Sequence, residues 1–324
     1  MEIIFLGTSS GTPTKTRNVS ALAIKRVNSK QWCLVDCGEG TQHQVLRTNL
    51  SLMNLGTIFI THVHGDHCYG LPGLLASAAM AGKTDTLTIV GPRDIQDFVE
   101  GASRATQLRL PYPIEFLAVD QWQDLSTPFP GCEEFDVRAT LLSHRVPSYG
   151  YSFMENDLQP KLNVAKLKVD NIDSGPLWGQ IQKGNDVLLS DGREVSAADY
   201  LLAARKPREI IVAGDNDMPS LFVEAAKTAD VLVHEATYTE DILQKVGAGP
   251  QHSSAKRVAI FAEDVSFRSL ILTHFSPRYQ DNTDVSPSIL DVETEARAHY
   301  SGNLFLANDF DSYHLKSNGE LIKV

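Results

Sequence analysis

The 324-residue chain has few cysteines, no long apolar run and no excess of positive charge. Its four cysteines, at 33, 37, 68 and 132, lack the close pairing of a zinc knuckle, and a chain of this length does not need disulfide staples. Cys33 and Cys37 are expected on one face of a strand, in the core, while Cys68 sits beside His67, where it would line a site without being a ligand. The segment Met1-Glu2-Ile3-Ile4-Phe5-Leu6-Gly7 carries an acid and a short strand-like run rather than a basic region and a long apolar stretch. Neither a signal peptide nor a membrane span is expected, and the expected compartment is the cytoplasm. A formal net charge of −11 argues against non-specific nucleic-acid binding. A polyanionic ligand would need a local basic patch, for which Lys15, Arg17, Lys25, Arg26 and Lys30 are candidates, because no acid intervenes between Glu2 and Asp36. Tandem repeats and low-complexity segments are also lacking, which excludes solenoids and disordered tails.

What is present is concentrated in Thr61-His62-Val63-His64-Gly65-Asp66-His67, directly after the apolar run Leu55 to Ile60. Imidazole nitrogen and carboxylate oxygen are the donors that catalytic zinc sites use, and no Cys closes the set. His62 and His64 point to one side of an extended segment, while Asp66 and His67 must diverge or turn, which suits two metals better than one. The alternative, a polar turn with satisfied core histidines, is the ordinary reading for a lone His but not for this density of donors. A helix is predicted over Gly70 to Met80, with Pro72 in its first turn.

Further along, apolar strand-like runs repeatedly stop on a donor: Val137 to Ser143 on His144, Glu209 to Gly214 on Asp215, Val231 to Val233 on His234-Glu235, and Leu270 to Thr273 on His274. Helix-like segments over Pro92 to Thr106, Pro219 to Thr228 and Ser253 to Glu263 alternate with them, so a layered α/β fold with its site at the strand ends is expected. Asn156 to Asp199 differs, with Lys161, Lys166, Lys168 and Lys183 interleaved with Asp170, Asp173 and Asp186, and is expected as an insertion projecting from a single domain spanning 1–324.

Two zinc ions with a shared water need roughly seven protein ligands and one bridging carboxylate. His62, His64 and His144 are assigned to one ion, Asp66, His67 and His274 to the other, and Asp215 to the bridge. Two carboxylates against two dications leave a positive site, suited to a phosphodiester. Asp66 is the candidate to orient or deprotonate the attacking water, and His252, charged by Glu235, to protonate the departing sugar oxygen.

The chain resembles the ribonuclease Z family of the metallo-β-lactamase superfamily, in its short form, over essentially its whole length. The resemblance rests on His62 to His67 followed by Gly70-Leu71-Pro72-Gly73-Leu74, and on Phe5-Leu6-Gly7-Thr8 with Asp36-Cys37-Gly38-Glu39-Gly40-Thr41-Gln42. His144 before Tyr149-Gly150-Tyr151, Gly214-Asp215, His234-Glu235-Ala236-Thr237, His252-Ser253-Ser254 and His274 to Tyr279 continue it in order. Asn216 stands where the family has Thr. The resemblance implies a four-layer αββα sandwich, two zinc ions per subunit with other divalent transition metals as alternatives, Asp66 as proton acceptor, and His252 with Glu235 assisting the leaving group. It further implies that Pro13 to Arg17, with Lys15 and Arg17, senses the tRNA 3′ end. The insertion around Gly175-Pro176-Leu177 would be an arm, about 156–199, gripping precursor tRNA from the partner of a homodimer. The expected reaction removes the 3′ trailer, leaving a 3′-hydroxyl on the tRNA and a 5′-phosphate on the trailer. The competing expectation is a phosphodiesterase of the same fold acting on small or cyclic diesters, which needs the metals but not the arm.

Overall fold

In the computed structural model, which describes all residues except 157, 159 and 283, the chain divides into two compact units, 1–154 with 208–324, and 155–207. Strands are numbered β1 to β18 along the chain. The first unit contains two sheets. One has eight strands, in the order β18 (Leu321–Lys323), β17 (Ser312–Leu315), β1 (Glu2–Gly7), β2 (Ala21–Lys25), β3 (Trp32–Val35), β4 (Leu55–Phe59), β5 (Leu87–Gly91) and β6 (Ile114–Ala118). The other has six, in the order β16 (Asn303–Leu306), β15 (Ser269–Thr273), β14 (Val231–Glu235), β13 (Glu209–Val212), β8 (Ser148–Glu155) and β7 (Phe135–Leu142).

Alternation along each strand divides its side chains between two layers. Ile3, Phe5, Leu22, Ile24, Val35 and Phe59 of the first sheet meet Val137, Tyr151, Phe153, Ile210, Val212, Val233 and Ile271 of the second between the sheets. Leu34, Ile58 and Ile89 face outward onto helix Leu71–Met80 and helix Arg93–Thr106. On the far side, Ile211, Leu232, Leu270 and Leu272 pack against helix Ala255–Asp264 and helix Ile289–Arg297. The first unit is therefore a four-layer αββα sandwich.

The strands β3 to β6 run parallel to one another, as do β13 to β16. Parallel strands need crossover connections, so their carboxyl ends all open into loops on one side, where functional groups collect. Helix Leu71–Met80 carries Pro at its start, and Ser254 caps helix Ala255–Asp264 by accepting from the Arg257 N–H. The predicted helix over Pro219 to Thr228 is instead a 3₁₀ turn, Pro219–Phe222, continued by one α turn, Val223–Ala226.

Cys33 and Cys37 do not share a face. β3 ends at Val35, and Asp36 adopts a left-handed φ of 60° that breaks the alternation, so Cys33 lies between the sheets and Cys37 under the helices. Cys68 also turns into the helix-side core, with its thiol against the Val63 carbonyl, and does not line the site.

The second unit, Glu155–Pro207, contains the segment expected as an arm, of which residues 157 and 159 lie outside the described residues. It has two small antiparallel pairs, β9 (Lys161–Leu162) with β12 (Leu201–Leu202) and β10 (Val187–Leu188) with β11 (Glu194–Val195), and two short helices, Val164–Val169 and Pro176–Gln182. Leu167, Ile172, Ile181, Val187, Val195 and Tyr200 form a core of its own. Gly175 and Pro176 are exposed and Leu177 is half-buried. Lys166 is used internally, against the Asp199 carbonyl and the Tyr200 ring.

Phe153 is fully buried, edge-on to Phe59 at 5.1 Å and to Phe135 at 5.9 Å. Phe153→Ala should therefore destabilise the protein by about 3–5 kcal/mol, as ring removal from a packed core does. Denaturant unfolding checks this; a loss under about 1 kcal/mol would mean the sheets do not depend on that packing.

Candidate metal centre

The donors reach the centre from strand ends and the loops that follow them, except Asp66 and His67, which sit on the single helical turn Gly65–Cys68. The first set comprises His62 and His64 beyond β4, His144 beyond β7, and Asp215 beyond β13. His64 Nδ1 stands 3.0 Å from His62 Nε2 and 3.2 Å from His144 Nε2. Asp215 Oδ2 lies 3.6 and 3.8 Å from those two Nε2 atoms. The second set is Asp66, His67 and His274. His67 Nε2 and His274 Nε2 are 3.2 Å apart, and Asp66 Oδ2 is 3.5 and 3.4 Å from them. Asp215 Oδ1 is 3.5 and 3.4 Å from the same nitrogens, so one carboxylate turns one oxygen to each set.

The spacings can be tested against a cation. Tetrahedral ligands about 2.0–2.1 Å from one zinc stand about 3.3 Å from each other, which is the separation seen within each set. The outer ring nitrogens explain why the inner ones are bare. His144 Nδ1 donates to the Gln251 carbonyl at 2.9 Å, and His67 Nδ1 to Asp36 at 2.7 Å. His62 Nδ1 and His274 Nδ1 lie 3.0 Å from the hydroxyls of Thr61 and Thr237, whose own protons go to Asp36 and Glu235. Nitrogens held this close repel unless a proton or a cation lies between them, and five imidazoles with two carboxylates drawn into two sets fit divalent metal.

Burial pushes the His62, His64 and His144 imidazoles below their ordinary range; neighbouring imidazoles add to this at His62 and His64, while Asp215 opposes it at His64 and His144 without overcoming it. In the second set burial is opposed. Asp215, Asp36 and Asp66 hold His67 well above its usual range, while His67 and His274 hold the Asp66 carboxyl well below its own. Asp66 Oδ2 also accepts the Gly11 N–H at 2.7 Å, which ties the loop after β1 to the centre.

His252 stands beside this centre. Its Nδ1 is 3.0 Å from Glu235 Oε1 and 3.7 Å from Asp215 Oδ2. Burial lowers its pKa, but Glu235 and Asp215 outweigh burial and raise it to about 9. Asn216 has a structural reason. Its amide donates to His234 Nε2 at 3.1 Å, its carbonyl oxygen accepts from the Ser143 and Met218 N–H groups, and its own N–H donates to Glu235. The amide carries donor and acceptor on separate atoms, so it donates to His234 from one and accepts from Ser143 and Met218 at the other, a reach that the single oxygen of a threonine hydroxyl lacks.

The basic stretch fares differently from its expectation. Lys15 is exposed, but Arg17 is 6% exposed and turned inward, donating to Thr8 Oγ1, the Ala307 carbonyl and Asn308 Oδ1. Lys25 pairs with Glu2 and Arg26 with Glu134, so the five residues do not make one free cationic patch. The reading along the chain assigned no role to Asp36, Thr61, Thr237 or Gln251, which orient the imidazoles. The only local signal was that Asp36 ends a strand.

The fold and the donor set define a metallo-β-lactamase-fold protein with a divalent-metal site. The short-form human tRNase Z is similar, with a TM-score of 0.65 and 27% identity over 98% of this chain and 100% of that one. The metallo-β-lactamase fold protein YhfI from Bacillus subtilis shares the fold, at a TM-score of 0.64 and 16% identity over 96% of this chain and 98% of that one. A family profile described as Anti-Pycsar protein Apyc1 matches residues 1–99. Ribonuclease Z of Marinobacter nauticus is 48% identical over 328 aligned residues, covering 100% of this chain and 99% of its own. Ribonuclease Z of Pseudomonas putida strain W619 is 50% identical over 324, with the same coverage. The chain belongs to the ribonuclease Z family.

Because Asp36 fixes both Thr61 and His67, Asp36→Ala should weaken divalent-metal binding by about 10–100-fold while leaving the donors in place. Competition with a chromogenic chelator measures this, and an unchanged affinity would remove Asp36 from the centre.

Proposed function

We propose that this chain is a cytoplasmic, zinc-dependent endoribonuclease that removes the 3′ trailer from precursor tRNA. The supporting observation is the convergence of seven donors into two sets sharing Asp215, in a chain about half identical to ribonucleases Z along its full length. His62, His64 and His144 would hold one zinc, Asp66, His67 and His274 the other, with Asp215 between them. When bound there, the metal would lower the pKa of a water and offset charge developing on the phosphoryl oxygens.

The chain's own groups do the remaining work. Asp66, fixed by the Gly11 N–H, orients the attacking water and accepts its proton. His252 borders the same centre, its Nδ1 3.7 Å from Asp215 and 3.0 Å from the buried Glu235. In that position it protonates the departing O3′ of the tRNA, leaving a 3′-hydroxyl there and the phosphate on the trailer. A cavity of about 280 Å³ bordered by Asp217, Gln244, Gln251, His252 and Arg257 gives the leaving strand room beside that imidazole. Lys15, exposed on its loop, would meet phosphate, while Arg17, turned inward, would brace that loop from beneath. Gly175, Pro176 and Leu177 would contact tRNA from the partner subunit of a homodimer.

His252→Ala should lower kcat for a 3′-extended tRNA by about 10²–10⁴-fold with little change in KM or in the circular dichroism spectrum. Asp66→Ala should be at least as damaging, and normal cutting by the purified variant would sink the assignment. Chelation should stop cleavage and zinc should restore it. The KM for tRNA should rise steeply with salt, because phosphate contacts release counterions; a flat response together with rapid turnover of small aryl phosphodiesters would favour the small-diester reading instead.

A further inference from the structure

Away from the metal centre, Cys33 Sγ and Cys132 Sγ lie 3.3 Å apart, although the residues are 99 positions apart in the chain. Cys33 is on β3 of the eight-stranded sheet, and Cys132 is in the loop that leads into β7 at the edge of the six-stranded sheet. That loop is held against the first sheet by three tethers. Thr57 Oγ1 donates to the Gly131 carbonyl at 2.8 Å, Arg26 Nε to the Glu134 carbonyl at 3.0 Å, and Ser29 Oγ to Glu134 Oε1 at 2.7 Å. The pair borders an open cavity of about 400 Å³ whose wall includes Trp32, Thr57, Thr88 and Gly131. A small oxidant can therefore reach thiols that the core otherwise protects.

We propose that Cys33 and Cys132 form a reversible dithiol–disulfide site, oxidised by peroxide, that clips the two sheets of the sandwich together. Closing the bond requires the sulfurs to approach from 3.3 Å to about 2.05 Å, which the half-buried loop can supply by a small shift. Cys132 is the attacking group. Cys132 is half-buried where Cys33 is buried, and backbone N–H groups of Phe135 and Glu134 favour its thiolate against burial. The Cys132 thiolate attacks one peroxide oxygen and the O–O bond breaks. The departing hydroxide takes up the proton that Cys132 shed and leaves as water, with Cys132 as a sulfenic acid. Cys33 sulfur then attacks the Cys132 sulfur, the S–O bond breaks, and the hydroxyl leaves as a second water with the Cys33 proton. Two thiols have lost two electrons and one peroxide has become two waters. Cys37 and Cys68 are buried in the helix-side core, so they serve as internal controls.

The test uses the full-length protein exposed to hydrogen peroxide, alkylated and digested for mass spectrometry. The expected product is a Cys33–Cys132 linked peptide within one chain, with the intact mass lower by two hydrogens, reversed by dithiothreitol, while Cys37 and Cys68 remain alkylatable. Cys132→Ser should abolish the product, and Cys33→Ser, if it folds, should leave a Cys132 sulfenic acid that dimedone traps. Cys33 and Cys132 both remaining alkylatable, Cys132 passing to sulfinic acid without a linked peptide, or Cys37 or Cys68 reacting first would each overturn the inference; the wild-type result decides even if Cys33→Ser does not fold.

Discussion

Bare imidazole nitrogens held 3.0 to 3.2 Å from one another are the constraint on which the rest of this structure depends. With neither a cation nor a proton between them they repel, and the buried carboxylates beside them are costly to desolvate. The fold bears that cost through rigid backing. Each of His62, His67, His144 and His274 has its outer nitrogen engaged, so none can rotate its lone pair away without breaking a buried hydrogen bond. Asp36 is the clearest case. It accepts from the Thr61 N–H and hydroxyl and from His67, and its left-handed backbone is what lets one residue at the end of β3 reach all of them. His274 also has a left-handed φ, of 57°, directly after β15. Strained residues at two strand ends are tolerable because the parallel sheets behind them are packed on both faces.

The same packing joins the two halves of the site. Tyr151 on β8 donates to the Ile60 carbonyl, and the Tyr149 N–H donates to Thr61, so the six-stranded sheet is bonded to the peptide just ahead of the histidine run. Gly214 sits where a Cβ would meet Ser148, Thr61 and the Tyr149 carbonyl at under 3 Å, which brings the Asp215 backbone in close enough for its carboxylate to face both donor sets. A methyl group there has no room, and it would push the Asp215 backbone away from both donor sets.

Much of this was legible along the chain because it is local. Dense donors in His62 to His67, and apolar runs ending on His144, Asp215 and His274, follow from the period of a strand and from where parallel sheets open. What was not legible depends on contacts between distant residues. Arg17 reads as an exposed cation until Ala307 and Asn308 come to lie beneath it. Cys33 and Cys37 read as one face because a strand period was carried through Asp36, whose φ ends it. The amide at Asn216 reads as a departure until the Ser143, Met218 and His234 partners are in place. The outer partners of the imidazoles are a backbone carbonyl, two hydroxyls and one carboxylate, types too common for any pattern to single out.

Charge remains the step that ties the site to its substrate. With a net charge of −11, the chain repels a polyanion at a distance, and salt limits that repulsion to about 8 Å at physiological ionic strength. Attraction must then come from inside that range, where the pairing of Lys25 and Arg26 with acids leaves little spare positive charge on the N-terminal stretch. On the proposed function, the largest local positive charge is the pair of dications, against only Asp66 and Asp215 among their ligands. Such a centre favours the one phosphodiester that reaches it over the many that do not, so recognition has to be completed by contacts on the rest of the tRNA. On the same proposal, the separately cored unit 155–207, in which Gly175 and Pro176 are exposed, would supply such contacts.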